Sequence, residues 1–163
     1  MTTKIDIQSA AGQLMEKDNI LILCHKNPDG DTLGSAAALA HALLAMGKKA
    51  FVACHNRIPA KYDYLNIPLY EEGMEVDFVT AVDVAGVNLL GDSLMDWAHK
   101  IDLCIDHHGS NGKYAKCLCL KSDCPAAAQL MYEIICEMGC EITPHIADCL
   151  YTGILTDTGC FKY

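Results

Sequence analysis

The hydrophobic residues of this chain fall into two kinds of segment. Short continuous apolar runs, which have the length of buried strands, occur at 20–24, 49–54, 77–83 and 101–106. Longer segments, with apolar residues at every third or fourth position, predict helices at 5–17, 33–46, 125–138 and 144–156, and residues 60–65 are a candidate short helix. The two kinds alternate along the chain, which predicts an α/β fold with a mostly parallel β-sheet flanked by helices.

The most informative polar segment, residues 25–31 (HKNPDGD), follows the first apolar run. Its asparagine, proline and glycine favour a turn, and a buried strand of an α/β sheet ends where ligands usually bind. His25, Asp29 and Asp31 are therefore candidate metal ligands on a loop. The alternative is that Asp31 only caps the helix that follows it.

Three further polar segments come at the ends of apolar runs. Asp83 ends the run at 77–83, the triplet 106–108 (DHH) follows the run at 101–105, and Asp157 lies in the segment 153–159. Each aspartate alone fits a cap or turn as well as a ligand, but their joint occurrence favours one site. Carboxylates and imidazoles without thiolates suit Mn²⁺, with Mg²⁺ as the alternative, whereas a structural zinc site would use cysteine.

With these four motifs the chain resembles the DHH phosphoesterases, a family named for the triplet that stands here at 106–108. The motifs occur in family order, and the resemblance runs from about residue 20 to the C-terminus. The first motif continues through residues 31–35 (DTLGS) and is most similar to the NrnA-type branch of nanoRNases and 3′-phosphoadenosine 5′-phosphate phosphatases. We therefore expect one DHH catalytic domain over residues 1–163.

The resemblance also implies a role for each motif residue. It implies that two Mn²⁺ ions are held, one by His25 and Asp29, the other by Asp31, His107 and Asp157, with Asp83 bridging the two. It implies further that His108 faces the scissile phosphate, while Asp106 orients an imidazole. Asp83, Asp106 and His108 are thus the expected catalytic residues.

Composition limits the class of protein and its partners. The chain has 163 residues, 52% hydrophobic and 20% charged, which suits one globular domain. It has no apolar stretch of the ~20 residues that a membrane span needs and no secretion signal at its start, so a cytoplasmic protein is expected. The net charge of −9 argues against long nucleic acid, but a short oligonucleotide or a nucleoside bisphosphate remains compatible. A homodimer stays open.

Ten cysteines are scattered through the chain, and several, including Cys24, Cys136 and Cys149, stand among aliphatic residues. No pair has the two-residue spacing of a zinc knuckle, so reduced structural thiols are favoured over a zinc or redox role. His41 and His145 lie outside the four motifs and are interpreted as structural or surface histidines.

Two departures from the family pattern affect the expected function. Relatives usually continue into a glycine-rich second domain that covers the cleft, and this DHH-associated domain is expected to be absent here, with slow turnover as a consequence. Gln129 stands where family members often have a glutamate, which puts substrate preference in doubt.

The resemblance ranks the functions. A manganese phosphoesterase acting on short oligonucleotides or 3′-phosphoadenosine 5′-phosphate comes first. A RecJ-like exonuclease, a cyclic di-AMP phosphodiesterase and a pyrophosphatase are alternatives within the superfamily. A catalytically weak metal- or nucleotide-binding module is the alternative of another class.

Overall fold

The computed structural model describes residues 1–162, so only Tyr163 of the expected domain lies outside the described residues. In chain order the elements are β1 (Thr3–Lys4), α1 (Ile7–Glu16), β2 (Ile20–Leu23), α2 (Gly30–Ala45), β3 (Ala50–Ala53), β4 (Phe78–Val82), β5 (Leu103–Asp106), β6 (Cys117–Leu120), α3 (Ala127–Glu137) and α4 (Pro144–Asp157). Short 3₁₀ helices at Ala60–Leu65, Val87–Leu89 and Asp92–Trp97 lie in the connections.

The strands form one sheet in the order β1-β6-β5-β4-β2-β3, and every pair in it is parallel. The chain leaves β2 towards β3 on one side, whereas β4 and β5 follow on the other side. The direction of winding therefore changes between β2 and β4, and loops that leave such a switch point open a crevice at the carboxyl ends of the strands. The α/β fold with a parallel sheet is confirmed.

Two apolar layers cover the sheet. Side chains of Ile20, Ile22 and Ile105 belong to one core that also contains residues of all four α-helices, and α2 lies at its centre with most of its residues buried. The opposite face, which includes Leu21 and Cys104, packs against the 3₁₀ helices and loops around 84–98. The four α-helices thus lie on one face of the sheet, and short 3₁₀ helices and loops cover the other face. Across residues 1–162, no helix combines the length and apolar composition needed to span a bilayer.

Some element boundaries differ from the prediction. Helix α2 begins at Gly30 rather than at residue 33, because the Asp29 carboxylate accepts hydrogen bonds from the backbone N–H groups of Asp31 and Thr32 at 3.0 and 3.1 Å. The alternative in which Asp31 is the cap is therefore wrong, since Asp31 lies inside the first turn. Strands β1 and β6 are additional to the four predicted strands, and β1 has two exposed residues that carry no hydrophobic signal. Cys136 is exposed rather than packed among aliphatic residues.

Candidate metal centre

The residues singled out in the four motifs meet at the carboxyl edge of the sheet. His25 follows β2, Asp83 follows β4, and Asp106 is the last residue of β5. The remaining aspartates come from helix ends: Asp29 caps α2, Asp31 lies in its first turn, and Asp157 is the last residue of α4. Parallel strands and the crevice at the switch point therefore bring distant motifs into one cluster.

Two groups of donor atoms can be distinguished within this cluster. In the first, the Nε2 of His25 lies 3.6 Å from Asp29 Oδ1 and 3.9 Å from Asp83 Oδ2. In the second, the Nε2 of His107 lies 3.8 Å from Asp31 Oδ2 and 3.5 Å from Asp157 Oδ2. The donor atoms of each group lie within 4.8 Å of one another, a spacing that suits ligands of one ion.

The Asp83 carboxylate lies between the two groups. Its Oδ2 faces His25, while its Oδ1 is 3.5 Å from the Nε2 of His107. The backbone holds this side chain in place, because Asp83 has a φ of 59° immediately after β4 and its N–H donates to Ile105 O at 2.9 Å. A left-handed conformation is uncommon for a residue other than glycine and is often found at functional sites.

The orientation of His107 leaves one ring nitrogen free for a ligand. Its Nδ1 lies 3.1 Å from the carbonyl oxygen of Cys124, and donation to that oxygen leaves the lone pair on Nε2. Among residues 1–162, His107 Nε2 and Asp83 Oδ1 are both buried polar atoms that have no hydrogen-bond partner. Buried polar atoms are rarely left unpaired, so their presence here fits a divalent cation between them.

The Asp31 carboxylate is held rigidly, because it caps a second helix. Its Oδ2 accepts a hydrogen bond from Ala127 N–H at 2.6 Å and its Oδ1 accepts one from Ala128 N–H at 2.9 Å, at the start of α3. Ala126, the residue that precedes α3, has no side chain able to cap it. Oδ1 also accepts a hydrogen bond from Ser35 Oγ at 3.3 Å, whereas Oδ2 keeps a further lone pair on the side of His107, so Asp31 can cap α3 and also ligate an ion through Oδ2.

His108 and Asp106 form a hydrogen-bonded pair beside the donor groups. The Nδ1 of His108 lies 2.8 Å from Asp106 Oδ1, and Asn111 Nδ2 donates to Asp106 Oδ2 at 2.6 Å. The Asp106 carboxylate is fully buried, whereas the His108 side chain is 44% exposed. Asp106 therefore orients His108, with the Nε2 of His108 left for another partner.

The charges of the cluster strongly shift several pKa values. Burial, reinforced by the charges of Asp31 and Asp29, raises the pKa of Asp83 to about 10. Burial also raises the pKa of Asp31 to about 6, against the hydrogen bonds from the α3 backbone. The hydrogen bond to Asp106 raises the pKa of His108, although burial opposes it. The cluster thus concentrates more negative charge than its histidines neutralise, as expected of a cation site.

Comparison with known proteins identifies the family. Residues 19–154 match the model of the DHH family, N-terminal domain. The chain belongs to the DHH family. It is 33% identical over 153 residues to the bifunctional oligoribonuclease and PAP phosphatase NrnA of Thermus thermophilus, an alignment that covers 88% of this chain and 44% of that protein. The NrnA of Bacillus subtilis is 25% identical over 151 residues, covering 90% of this chain and 48% of its own.

Solved structures agree with this assignment of the DHH chain. An exopolyphosphatase-related protein from Bacteroides fragilis superposes with a TM-score of 0.84 at 28% identity, over 96% of this chain and 51% of that one. RecJ from Thermus thermophilus, solved in complex with Mn²⁺, shares the fold with a TM-score of 0.61 at 16% identity, over 93% of this chain and 24% of its own. The chain thus spans about half the length of the two NrnA proteins and of the Bacteroides protein, and less of RecJ.

Several residues that shape this DHH site were not predicted from the sequence. Asn111 fixes Asp106, and the carbonyl of Cys124 fixes His107, but backbone and amide contacts of this kind leave no motif. The amides of Ala127 and Ala128 that hold Asp31 were missed as well, since α3 was expected to begin two residues earlier. Only Asn111, five residues beyond the DHH aspartate, offered a chemical signal in its side chain.

Proposed function

We propose that this DHH domain is a metal-dependent phosphoesterase that hydrolyses short oligonucleotides, 3′-phosphoadenosine 5′-phosphate, or both. One observation carries the proposal: two groups of imidazole and carboxylate donors share Asp83, and buried atoms of Asp83 and His107 in this cluster lack hydrogen-bond partners. Such an arrangement suits a pair of divalent cations, which is the arrangement of many phosphoester hydrolases.

The proposed ligand sets follow the geometry of the cluster. His25, Asp29 and Asp83 would hold one ion, and Asp31, His107 and Asp157 the other, with Asp83 shared. Oxygen and imidazole donors favour Mn²⁺ or Mg²⁺, and the RecJ structure described with Mn²⁺ supports the choice of Mn²⁺. When bound, such ions lower the pKa of a coordinated water and offset charge on the phosphoryl oxygens.

The side chains around the proposed ions would position and stabilise the substrate. Asp106 accepts the His108 Nδ1–H and raises the pKa of His108, which favours the protonated imidazole and leaves its Nε2 facing away from Asp106. A protonated imidazole at the edge of the cluster would donate to a phosphoryl oxygen as negative charge develops there. Partial exposure of His108 leaves it accessible to a substrate arriving from solvent.

The substrate class is proposed from the relatives and from charge. Both NrnA proteins are named for oligoribonuclease and PAP phosphatase activities. The net charge of −9 disfavours a long polynucleotide, whereas bound divalent cations would offset charge locally for a small anion. A RecJ-like exonuclease, a cyclic di-AMP phosphodiesterase and a pyrophosphatase are second choices, and a binding module without turnover is the choice of another class.

Metal analysis and hydrolysis assays on the same samples test the proposal. Purified chain is loaded with Mn²⁺, desalted, analysed for metal, and assayed with pApA, 3′-phosphoadenosine 5′-phosphate, cyclic di-AMP and pyrophosphate. We expect two Mn²⁺ per chain and Mn²⁺-dependent hydrolysis of one of the first two substrates. Asp83→Ala should lose at least one Mn²⁺ and nearly all turnover, while Asp96→Ala, which removes an exposed carboxylate, should change neither.

The outcomes separate the alternatives. Hydrolysis of only cyclic di-AMP or pyrophosphate would refute the proposed substrate class but would agree with the proposed metal site. Two bound Mn²⁺ without turnover of any substrate would favour the binding module. Normal metal content and rate in Asp83→Ala would refute the shared-carboxylate arrangement itself.

A further inference from the structure

A second group of metal-binding side chains lies between α2 and α4, outside the cluster described above. His41 belongs to α2, whereas His145 and Cys149 belong to the first half of α4. The donor atoms of these three residues lie within 4.8 Å of one another. His145 and Cys149 are four residues apart and so share one face of their helix. Cys149 is fully buried, and both imidazoles are partly buried.

The two imidazoles converge on one backbone carbonyl. His41 Nε2 lies 2.9 Å from Leu65 O, His145 Nε2 lies 3.2 Å from the same oxygen, and the two nitrogens are 3.1 Å apart. These three atoms form a nearly equilateral triangle. Its edges are close to the ~3.3 Å that separates ligands of a tetrahedral ion at bond lengths of 2.0–2.1 Å.

Protons alone cannot satisfy all three of these contacts. The carbonyl oxygen of Leu65 only accepts, so both contacts to it require an N–H on the Nε2 of His41 and of His145. The two N–H groups would then face each other across 3.1 Å, which is donor against donor. If one of the two Nε2 atoms carries no proton, its lone pair faces the lone pairs of the Leu65 carbonyl oxygen instead. A cation accepts a lone pair from each atom and removes this conflict.

We propose that His41, His145 and Cys149 bind a Zn²⁺ ion, with the Leu65 carbonyl oxygen at the remaining position. Two imidazoles and a thiolate are typical zinc ligands, whereas Mn²⁺ and Mg²⁺ prefer oxygen. The site therefore differs in metal preference from the carboxylate-rich cluster. On binding, the Cys149 Sγ–H gives its proton to solvent and the sulfur ligates the ion as a thiolate.

The position of this zinc site indicates a structural role. It would join α2, α4 and the Ala60–Leu65 segment. His41 comes ten residues after Asp31 along α2, about 15 Å of helix, and α4 runs from His145 to Asp157. The ion would thus connect one end of the helix pair whose other end supplies Asp31 and Asp157 to the catalytic cluster.

Cobalt spectroscopy of the intact chain tests this proposal independently of catalysis. A tetrahedral Co²⁺ ion with a thiolate ligand has a sulfur-to-metal charge-transfer band in the near ultraviolet, and none of the ligands proposed for the catalytic cluster is a thiolate. We expect one equivalent of Co²⁺ to produce this band and one equivalent of Zn²⁺ to abolish it. Zn²⁺ at about 100 times its dissociation constant should also raise Tm by roughly 5–10 °C.

Two variants and one control decide the assignment. Cys149→Ser should abolish the band, and His145→Gln, which leaves every cysteine in place, should weaken Co²⁺ binding at least about tenfold. Cys136→Ser removes an exposed thiol of α3 and should leave the band unchanged. Circular dichroism of the metal-free variants checks that each is folded. Absence of the band in the wild-type chain, or an unchanged titration in either Cys149→Ser or His145→Gln, would overturn the proposal, whatever the phosphoesterase assays show.

Discussion

Replacing the Asp83 carboxylate by an amide should stabilise the metal-free chain. With the pKa of Asp83 raised to about 10, the carboxyl is protonated in the folded chain at pH 7. In the unfolded chain the pKa is near 3.8, so the same group is ionised. Folding must therefore take up a proton at neutral pH, which costs free energy, whereas the amide of Asp83→Asn resembles the protonated acid and avoids that cost.

The magnitude and its sign follow from proton linkage. A group whose pKa is raised on folding contributes stability at low pH, and this is lost as the pH rises towards its folded pKa. One proton is worth about 1.4 kcal/mol per pH unit, so between pH 5 and pH 7 the wild-type chain should lose about 3 kcal/mol relative to Asp83→Asn. At pH 7 the Asp83→Asn variant should have a free energy of unfolding about 2–4 kcal/mol higher than that of the wild-type chain. The difference decreases to the extent that the proton is shared with Asp31.

Urea unfolding in EDTA at pH 5, 6 and 7, followed by far-ultraviolet circular dichroism and Trp97 fluorescence, measures this difference. Asp96→Asn, which neutralises an exposed carboxylate, is the matched control and should follow the wild-type chain. Mn²⁺ should then stabilise the wild-type chain by about 2.7 kcal/mol per ion at 100 times the dissociation constant, and the variant less. A variant less stable than wild type in EDTA at pH 7, or one with the same pH slope, would refute the reasoning.

Two further predictions concern residues around the proposed ligands. Asp106→Asn should lower turnover about 10–100-fold and move the alkaline limb of the pH–rate profile to lower pH, because the pKa of His108 then falls; an unmoved limb would contradict the pairing. Gly153→Ala should lower the free energy of unfolding by about 1–3 kcal/mol and weaken Mn²⁺ binding, because a Cβ at this position would lie 2.7 Å from Asp31 Oδ1. Gly12→Ala on α1 is the control. A Cβ at Gly12 would have no atom within 4 Å, so this variant should raise the free energy of unfolding by about 0.5–1 kcal/mol. Thermal unfolding and Mn²⁺ titration of both glycine variants measure these effects. The same change in stability and in Mn²⁺ affinity in both variants would contradict the prediction.

Local sequence patterns were sufficient to predict most of the secondary structure. The apolar runs and the helical spacing placed four strands and the helices to within a few residues, since burial of one face or one stripe is recorded directly in the order of residues. Those patterns also placed His25, Asp83 and Asp106 at strand ends, where their convergence could be expected from the parallel sheet alone. The start of α2 was missed, because Asp29 and Asp31 are equally good caps by residue type.

The resemblance to the DHH family implied which of these side chains share a site, but only the tertiary structure supplies the distances between them. The strand order puts β2 beside β4, and this neighbourhood places Asp83 between His25 and His107. The same packing brings His41 to His145 across 104 residues of sequence, although neither belongs to a motif. Strand order and helix packing depend on contacts between segments far apart in the chain. A pattern of neighbouring residues therefore records which elements form, but distances between donor atoms exist only once those elements have packed.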